Sequence, residues 1–464
     1  MRTTPFLLAG ALSVAAFPVL AKVSAEEAAK LGAELTPIGA EKAGNADGTI
    51  PAWDGGLPKL DISEPTHWDD PFADDEIKFT ITKDNIDQYK DKLTVGHLAL
   101  FNAYGDTYKM NVYPTRRSSG FPEEYYEYTK KNATNASLEG TDLLLGAEVG
   151  FPFPIPKNGA EVIWNHRLKY RGKAQQRFNN QFIVLPDGSY TQSTLREDVL
   201  FPYANLTEDH VPINDKDDIT IYYVAEILSP PRNAGLFLMA WEHVDYRSAW
   251  LYPPALRRVR RAPSVAYDNP YEGTDGNQFY DQVDMYNGAL DRFTWKLIGK
   301  KEMYIPVNSF AMNKSDVKYD DVIGKSHINQ DLPRYELRRV WVVEADLKDG
   351  TTHKFGKRRF YVDEDSWNIV AVDCYDTRGN LWKVQEGHLI VERGLPASTT
   401  VPEIIYDLQA RSYFATALRS EDEANNQFVD YDTRFFDPRE LKRRATRRSL
   451  IAAAPCPHDE SKGE

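Results

Sequence analysis

A series of short strand-like segments joined by tight turns constrains the fold of this chain most. From about residue 160 onward, runs rich in β-branched and aromatic residues alternate with turn signals such as Pro186-Asp187-Gly188 and Lys348-Asp349-Gly350. Turns of this kind between two strand-like runs are typical of β-hairpins. Successive hairpins place neighbouring strands side by side, so the pattern predicts one large antiparallel sheet, strongly curved or partly closed. The predicted strands are 162–170, 178–185, 189–197, 219–228, 236–246, 247–252, 293–305, 338–347, 351–362, 369–376 and 381–386.

Four other segments have helical signatures. Residues 24–27 form a capping box that opens a short helix. Apolar residues at helical spacing indicate a helix over 84–104, and a proline followed by two glutamates indicates another over 122–132. Asp437-Pro438 opens a basic helix that either stays solvated or docks on an acidic partner or an anionic membrane surface. Its basic residues are Arg439, Lys442, Arg443, Arg444, Arg447 and Arg448.

Residues 36–75 are dense in Gly, Pro and Asp and show no periodicity. They predict an irregular arm that lies across the body and is held there by Trp53 and Trp68. Residues 44–56 also suit a carboxylate-rich cation loop, but they lack the ligand spacing and the terminal glutamate of an EF-hand. The sequence leaves open whether the arm caps a cavity or packs on the outside.

The first 21 residues have the form of a signal peptide. Arg2 precedes a short apolar run over 6–19, and small residues place the predicted cleavage after Ala21. The run is too short to span a membrane comfortably, and no cysteine follows it as a lipoprotein anchor would require. We therefore expect an exported chain in four parts. These are the signal peptide (1–21), a helical and loop-rich segment (22–158), a β-rich domain (159–436) and a basic tail (437–464).

Charge and cysteine content exclude some functions. The chain carries 56 basic and 69 acidic residues, a net charge of −13 that becomes −14 once Arg2 is removed. This excess of acid argues against nucleic acid as a partner, because phosphate binding needs a basic surface. The two cysteines either form one bridge that staples the tail to the core, or Cys374 is buried and Cys456 is idle.

The stretch 248–263 is the most informative for function. An aromatic strand that includes Trp250 and Tyr252 meets a Pro253-Pro254 break and then two pairs of arginines around Val259. Proline cannot donate to a sheet ladder, so the arginines lie at or past a strand end. An apolar wall beside a cationic rim suits an amphiphile with an anionic headgroup, whereas the alternative is a surface cluster that pairs with the protein's own carboxylates. The arginines are Arg257, Arg258, Arg260 and Arg261.

Motifs for catalysis are missing. The sequence contains no Gly-x-Ser-x-Gly elbow, no Walker loop and no Gly-x-Gly-x-x-Gly, and its nine histidines have no metal-ligand spacing. It therefore predicts no catalytic residues, no metal and no cofactor. This absence favours a binding protein over an enzyme.

Five blocks of the sequence resemble a bacterial family of unknown function, DUF1329. They are 39–53, 250–261, 295–303, 338–345 and 358–367, and they follow one another along nearly the whole exported chain. The block 250–261 is also similar to a stretch of the periplasmic outer-membrane lipoprotein-sorting proteins, the LolA/LolB-like group. The resemblance implies an α+β, mainly antiparallel fold, in which a large half-open β-barrel has helices on its concave side and encloses a cavity for acyl chains. It also implies a neighbourhood with RND-type exporters and outer-membrane proteins.

These observations predict a non-enzymatic periplasmic carrier or chaperone for a lipid, a fatty-acid derivative or a lipidated protein. Trp250 and Tyr252 are expected at the cavity mouth, and the four arginines are expected to receive an anionic headgroup. One alternative is a hydrolase that acts on a hydrophobic ester or a glycan through carboxylates that the sequence does not single out. Another is an envelope scaffold that bridges a pump and an outer-membrane protein.

Overall fold

Fifteen strands join in one sheet that runs through most of the molecule. The computed structural model describes residues 22–207, 212–262 and 267–452, with side chains up to residue 445. The predicted signal peptide and Cys456 lie outside the described residues. The strands are β1 (Phe79–Ile81), β2 (Met110–Val112), β3 (Ser137–Glu139), β4 (Leu143–Leu145), β5 (Ala174–Val184), β6 (Tyr190–Leu200), β7 (Ile219–Ser229), β8 (Phe237–His243), β9 (Arg247–Tyr252), β10 (Arg260–Arg261), β11 (Phe293–Pro306), β12 (Tyr335–Leu347), β13 (Phe355–Asp363), β14 (Ile369–Asp376), β15 (Leu381–Glu392), β16 (Ala397–Asp407) and β17 (Ser412–Leu418). Strands β3 and β4 form a separate hairpin.

The sheet is an antiparallel meander that stays open. Its order is β11-β12-β13-β14-β15-β16-β17-β5-β6-β7-β8-β9-β10, and every neighbouring pair in this order is antiparallel. The short β1-β2 pair joins the start of β12 through a parallel bridge between Val112 and Tyr335. A further bridge joins Val307, just after β11, to Leu389 in β15, so the sheet curls strongly at this end. The predicted fold class, a large curved antiparallel sheet in a half-open barrel, is confirmed.

The helices lie on both faces of the sheet. They are α1 (Ala25–Ala28), α2 (Val95–Tyr104), α3 (Glu123–Asn135), α4 (Gly159–Arg167), α5 (Tyr319–Val322) and α6 (Pro438–Ala452). Helix α4 shares an apolar cluster with Val372, whereas α2 shares one with Val384. Val372 pairs with Gln385, so the adjacent Val384 points to the opposite face. No helix in the described part of the chain is long and apolar enough to cross a membrane.

Two expectations about local structure are wrong in part. Residues 162–170, expected as a strand, belong mainly to helix α4, because the Asn158 side chain caps the backbone N–H of Glu161 and starts a helix that is buried on every side. The helix expected over 84–104 is two short 3₁₀ turns followed by α2, which begins only where Thr94 provides the cap. The helices expected at 122–132 and after Asp437 are confirmed as α3 and α6.

The arm over residues 36–75 lies against the turn between β13 and β14. Arg117 holds it there, with hydrogen bonds to the backbone carbonyls of Glu41, Lys42 and Pro51 and an ion pair to Asp365, whose Oδ1 lies 2.6 Å from Nη2. In agreement with the prediction, the Trp53 indole donates to a backbone carbonyl of the body, and the Trp68 ring packs under the guanidinium of Arg419.

Candidate functional site

A cleft lies between strands β5–β9 and a covering segment, residues 267–292. Its empty space is about 610 Å³ when the open solvent at its mouth is included. One wall is the sheet, and the other is formed by Tyr271, Tyr280 and Val283 of the covering segment. The arm over residues 36–75 contributes nothing to this lining, so among the described residues it packs outside the cleft.

Small and aliphatic side chains form part of the sheet wall of the cleft, which also carries the ion pair of Arg247 with Glu242, 2.6 Å apart. Strand alternation places Ile221, Leu238, Ala240 and Ala249 on this face. The two alanines lie directly opposite each other on β8 and β9, and their small side chains leave the open volume. A surface of this kind can take up a hydrocarbon chain without a polar partner.

Buried charges occupy one end of the cleft. The Asp284 carboxylate accepts from Lys169 Nζ at 2.6 Å and from Arg171 Nη1 at 2.5 Å, and the Arg171 guanidinium lies 4.5 Å from the centre of the Phe201 ring. Burial lowers the pKa of Lys169 to about 7 although Asp284 is so close. Arg171 and Asp284 line the cleft, so this end presents a guanidinium to whatever enters it.

Arg177 is a further cation of the cleft, beside Arg171 and Arg247. Its Nε lies 2.6 Å from Glu197 Oε2, while Tyr223 and Asn179 donate to the other carboxylate oxygen. Burial alone would raise the pKa of Glu197, but the charge of Arg177 and these hydrogen bonds hold that pKa below its usual value. No described residue accepts a hydrogen bond from the two terminal nitrogens of Arg177, which are thus available to an anionic group.

The cleft continues past Arg177 into a smaller polar recess. Glu403 lies there, and its carboxylate accepts from the backbone N–H of Met285 at 3.1 Å. Burial and the nearby charge of Asp284 raise the pKa of Glu403 to about 8, so this carboxyl group is mainly protonated at neutral pH. Because Glu403 is mainly neutral, it adds little negative charge opposite Arg171 and Arg177.

The covering segment is fixed to the sheet by buried polar contacts. Asp281 pairs with Arg358 at 2.9 Å, and Gln282 donates to Gln385 at 3.0 Å. Asp284 itself has a φ of 55°, in the left-handed region that non-glycine residues rarely adopt. Its backbone carbonyl accepts from His166 Nε2 at 2.8 Å, which stabilises this conformation. Strain of this kind is common where a side chain is held in place for function.

A family model described as "Protein of unknown function (DUF1329)" matches residues 80–442. This chain belongs to the DUF1329 family. An uncharacterized protein of Pseudomonas aeruginosa, PA3922, is 46% identical over 438 residues, which cover 92% of this chain and 96% of that protein. The predicted family membership is confirmed.

Three solved structures are similar to parts of the chain. The first is a putative outer membrane lipoprotein-sorting protein domain from Vibrio parahaemolyticus, with 14% identity and a TM-score of 0.42, and the match covers 61% of this chain and 98% of that one. The second is a DUF1329 family protein from Desulfovibrio piger, with 13% identity and a TM-score of 0.40, covering 58% of this chain and 92% of that one. The third is a LolA superfamily protein from Nitrosomonas europaea, with 11% identity and a TM-score of 0.37, covering 61% of this chain and 98% of that one.

The aromatic residues predicted at the cavity mouth lie on the other face of the sheet. Trp250 and Tyr252 alternate with Ala249 and Leu251 along β9, and only Ala249 lines the cleft. Both aromatic rings belong to an apolar cluster with residues of the carboxyl-terminal region, so they do not line this cleft. Any contact of Trp250 and Tyr252 with a ligand stays a prediction.

The four predicted arginines lie at the open edge of the sheet, outside the cleft lining. Arg260 and Arg261 form β10, which pairs with Leu251 and Trp250, and Arg257 and Arg258 lie in the preceding turn. All four side chains are exposed and form no hydrogen bond or ion pair with any described residue. The alternative of a cluster paired with the protein's own carboxylates therefore receives no support among the residues described.

Sequence reasoning missed the charged residues of the cleft. A partial signal was present, because β5 carries polar residues at 175–177 and 179–181, which is unusual for a strand whose two faces are both covered. Of the two cysteines, Cys374 is fully buried and has no disulfide partner among the residues that the structure describes.

Proposed function

We propose that this protein is a periplasmic carrier or chaperone that holds a lipid, a fatty-acid derivative or the acyl chains of a lipidated protein in the cleft. The observation that carries the proposal is an apolar wall that leads to the guanidinium group of Arg177, whose terminal nitrogens have no acceptor among the described residues. The other two arginines of the lining, Arg171 and Arg247, are paired with Asp284 and Glu242. Each buried CH₂ group contributes about 0.8 kcal/mol, so a long acyl chain binds without an elaborate polar site.

The anionic headgroup would bind at Arg177. Its terminal nitrogens are available, and its Nε is fixed by Glu197, so the guanidinium is oriented before the ligand arrives. Arg171 adds a second positive charge on the same side of the cleft but is already paired with Asp284. A carboxylate or phosphate that binds to a fixed guanidinium makes short, charge-assisted hydrogen bonds.

A titration with two matched probes tests this assignment. We expect a dansyl-labelled fatty acid to bind more tightly than its methyl ester, which has the same chain without the charge. Arg177→Gln should remove the preference and leave the affinity for the ester unchanged. Equal binding of acid and ester by the unmodified protein would contradict the headgroup site.

The remaining predictions from the sequence are kept as proposals, the first on the signal-peptide pattern, the second on the resemblance and the third on the aromatic strand beside the arginine run. They are export to the periplasm, an RND-type exporter and an outer-membrane protein as partners, and a headgroup role for the four arginines at the sheet edge. The headgroup role of the four arginines can be tested separately from that of Arg177. If Arg177 holds the headgroup, replacing Arg257, Arg258, Arg260 and Arg261 by Gln should leave the preference for the acid over the ester intact.

One observation favours a hydrolase as the second candidate. The ionised Asp284 and the protonated Glu403 lie near each other in the cleft, and two carboxyl groups whose pKa values are pushed apart are typical of acid–base pairs. Turnover of a member of an ester and glycan panel, abolished by Glu403→Gln, would support this candidate. Because the Asp284 carboxylate is already bound by Lys169 and Arg171, the hydrolase function has less support than the carrier function.

A further inference from the structure

Two basic segments that are far apart in sequence meet on one surface. Helix α6 contacts β9, and its Leu441 and Ala445 belong to the same apolar cluster as Val259, the residue at the centre of the arginine run. Residues 254–262 and 438–445 together contain eight basic residues and a single acidic one, in a chain whose net charge is −13. We call the surface formed by these two segments the basic face.

Four arginines of the basic face are uncompensated. Arg257, Arg258, Arg260 and Arg261 form no ion pair with any described residue. On α6, Arg443 pairs with Glu440 and Arg439 pairs with Asp437, both in exposed positions where such pairs contribute little. The excess of basic residues on this face produces a local positive potential despite the acidic protein around it.

An exposed apolar side chain lies within the basic face. Leu256 is 44% exposed at the tip of the turn before β10, directly next to Arg257 and Arg258. A leucine surrounded by arginines suits the interface of a membrane, where the apolar group enters the acyl region and the cations bind lipid phosphates. An acidic protein would satisfy the charges but would not account for the leucine.

The basic face also borders the cleft. Arg260 pairs with Leu251, whose side chain packs with Tyr271 and Tyr280 at the cleft wall, whereas Arg261 pairs with Trp250 on the face that carries α6. The edge strand β10 therefore carries Arg260 on the same face as the apolar wall and Arg261 on the face that carries α6. A membrane held at this edge would lie beside the apolar wall of the cleft.

We propose that the basic face docks the protein on an anionic membrane surface, with Leu256 entering the headgroup region. The proposal extends the carrier function by giving the site at which cargo and membrane would meet. It does not depend on the identity of the cargo, because the surface charge and the exposed leucine exist without a ligand.

Co-sedimentation of the purified full chain with lipid vesicles tests the proposal. We expect binding at low salt to vesicles of phosphatidylcholine and phosphatidylglycerol, no binding to phosphatidylcholine alone, and release at high salt. Replacing Arg257, Arg258, Arg260 and Arg261 by Gln should weaken binding at least about tenfold, since each basic residue near an anionic surface contributes on the order of 1 kcal/mol. A matched control replaces four exposed lysines elsewhere by Gln, namely Lys59, Lys78, Lys130 and Lys216, and should bind as the unmodified protein does.

A fluorescent reporter at the tip gives a second readout. The Leu256→Trp variant should show a blue shift of its tryptophan emission, relative to the parent protein, on mixing with anionic vesicles. No binding to anionic vesicles at low salt, or equal loss of binding in the arginine variant and the lysine control, would overturn the proposal. The dansyl fatty-acid titration without vesicles separates this result from a failure of the carrier function.

Discussion

Arg177 and Glu197 face each other on the neighbouring strands β5 and β6, with Nε of the arginine 2.6 Å from Oε2 of the glutamate. The pair lies where the apolar cleft passes into its polar recess. The glutamate fixes the guanidinium, and the arginine lets a buried carboxylate stay ionised. One ion pair thus stabilises the sheet and prepares a site for an anion.

Replacing Arg177 alone should destabilise the protein more than replacing both partners. Arg177→Gln leaves the Glu197 carboxylate with Tyr223 and Asn179 but without a counter-charge, at a cost of about 1–3 kcal/mol in the free energy of unfolding. The double variant Arg177→Gln, Glu197→Gln should recover part of this loss, because no buried charge is left unpaired. Urea unfolding of the three proteins measures both effects, and equal stability of the single and double variants would show that the pair is not coupled.

Filling the cleft should block ligand uptake while the fold is retained. Ala240→Leu combined with Ala249→Leu places two larger side chains opposite each other on the cleft wall. We expect the affinity for the dansyl fatty acid to fall more than about tenfold, because several CH₂ groups of the probe lose their contact surface. Ala52→Leu, at an exposed position, is the control and should bind normally. Unchanged binding by the filled variant would place the ligand elsewhere.

Glu403 should make stability fall as pH rises. Burial and the charge of Asp284 raise its pKa from 4.5 to about 8, so between these values the folded state holds a proton that the unfolded chain has released. Its stabilising contribution is fully present below 4.5 and is lost as the pH rises through 8. Glu403→Gln, which is always neutral, should therefore gain stability over the unmodified protein as pH increases.

Urea unfolding at several pH values across this range measures the difference between the two proteins. Lys169 acts in the opposite direction but is present in both, so the comparison reports on Glu403. The exposed Glu64→Gln provides the control, with a pH dependence parallel to that of the unmodified protein. A parallel curve for Glu403→Gln as well would refute the raised pKa.

Two adjacent arginines should differ sharply in their effect on the arm. Arg117 is buried between Asp365 and three backbone carbonyls of the arm, so Arg117→Ala should cost about 3–5 kcal/mol and expose residues 36–57 to proteases. Arg116 pairs with Asp75 at the surface with 47% of its side chain exposed, so Arg116→Ala should cost about 0–1 kcal/mol. Limited proteolysis and unfolding measurements distinguish the two variants. Similar losses of stability in both would contradict the role of Arg117 in holding the arm.

Many strands of the sheet, though not β16 and β17, were predictable because their turns are local. Pro186-Asp187-Gly188 and Lys348-Asp349-Gly350 are short turn sequences that reverse the chain direction, so they predict an antiparallel strand on either side. Helix α4 was not predictable from its apolar pattern, since all nine of its residues are buried and the pattern has no polar side to define a period. Its one local signal was the Asn158 cap three residues before Glu161.

The candidate site was largely hidden from the sequence because it is assembled from distant segments. Arg177, Glu197, Asp284 and Glu403 come from three strands and the covering segment, and no local pattern links them. Along β9, alternation alone gives two possible inner faces. The sequence favoured the aromatic one, with Trp250 and Tyr252, but these rings pack under the carboxyl-terminal region, and the small side chain of Ala249 leaves room for the cleft.

Native mass spectrometry of the protein, purified without detergent, tests the proposed carrier function most directly. Solvent extraction and lipid analysis of the same sample identify any bound molecule. We predict a one-to-one adduct with an acyl-chain compound that carries an acidic headgroup, and its absence from the Ala240→Leu, Ala249→Leu variant. A ligand-free mass for the unmodified protein, together with no binding of the dansyl fatty acid in titration, would contradict the proposal that the cleft is a lipid site.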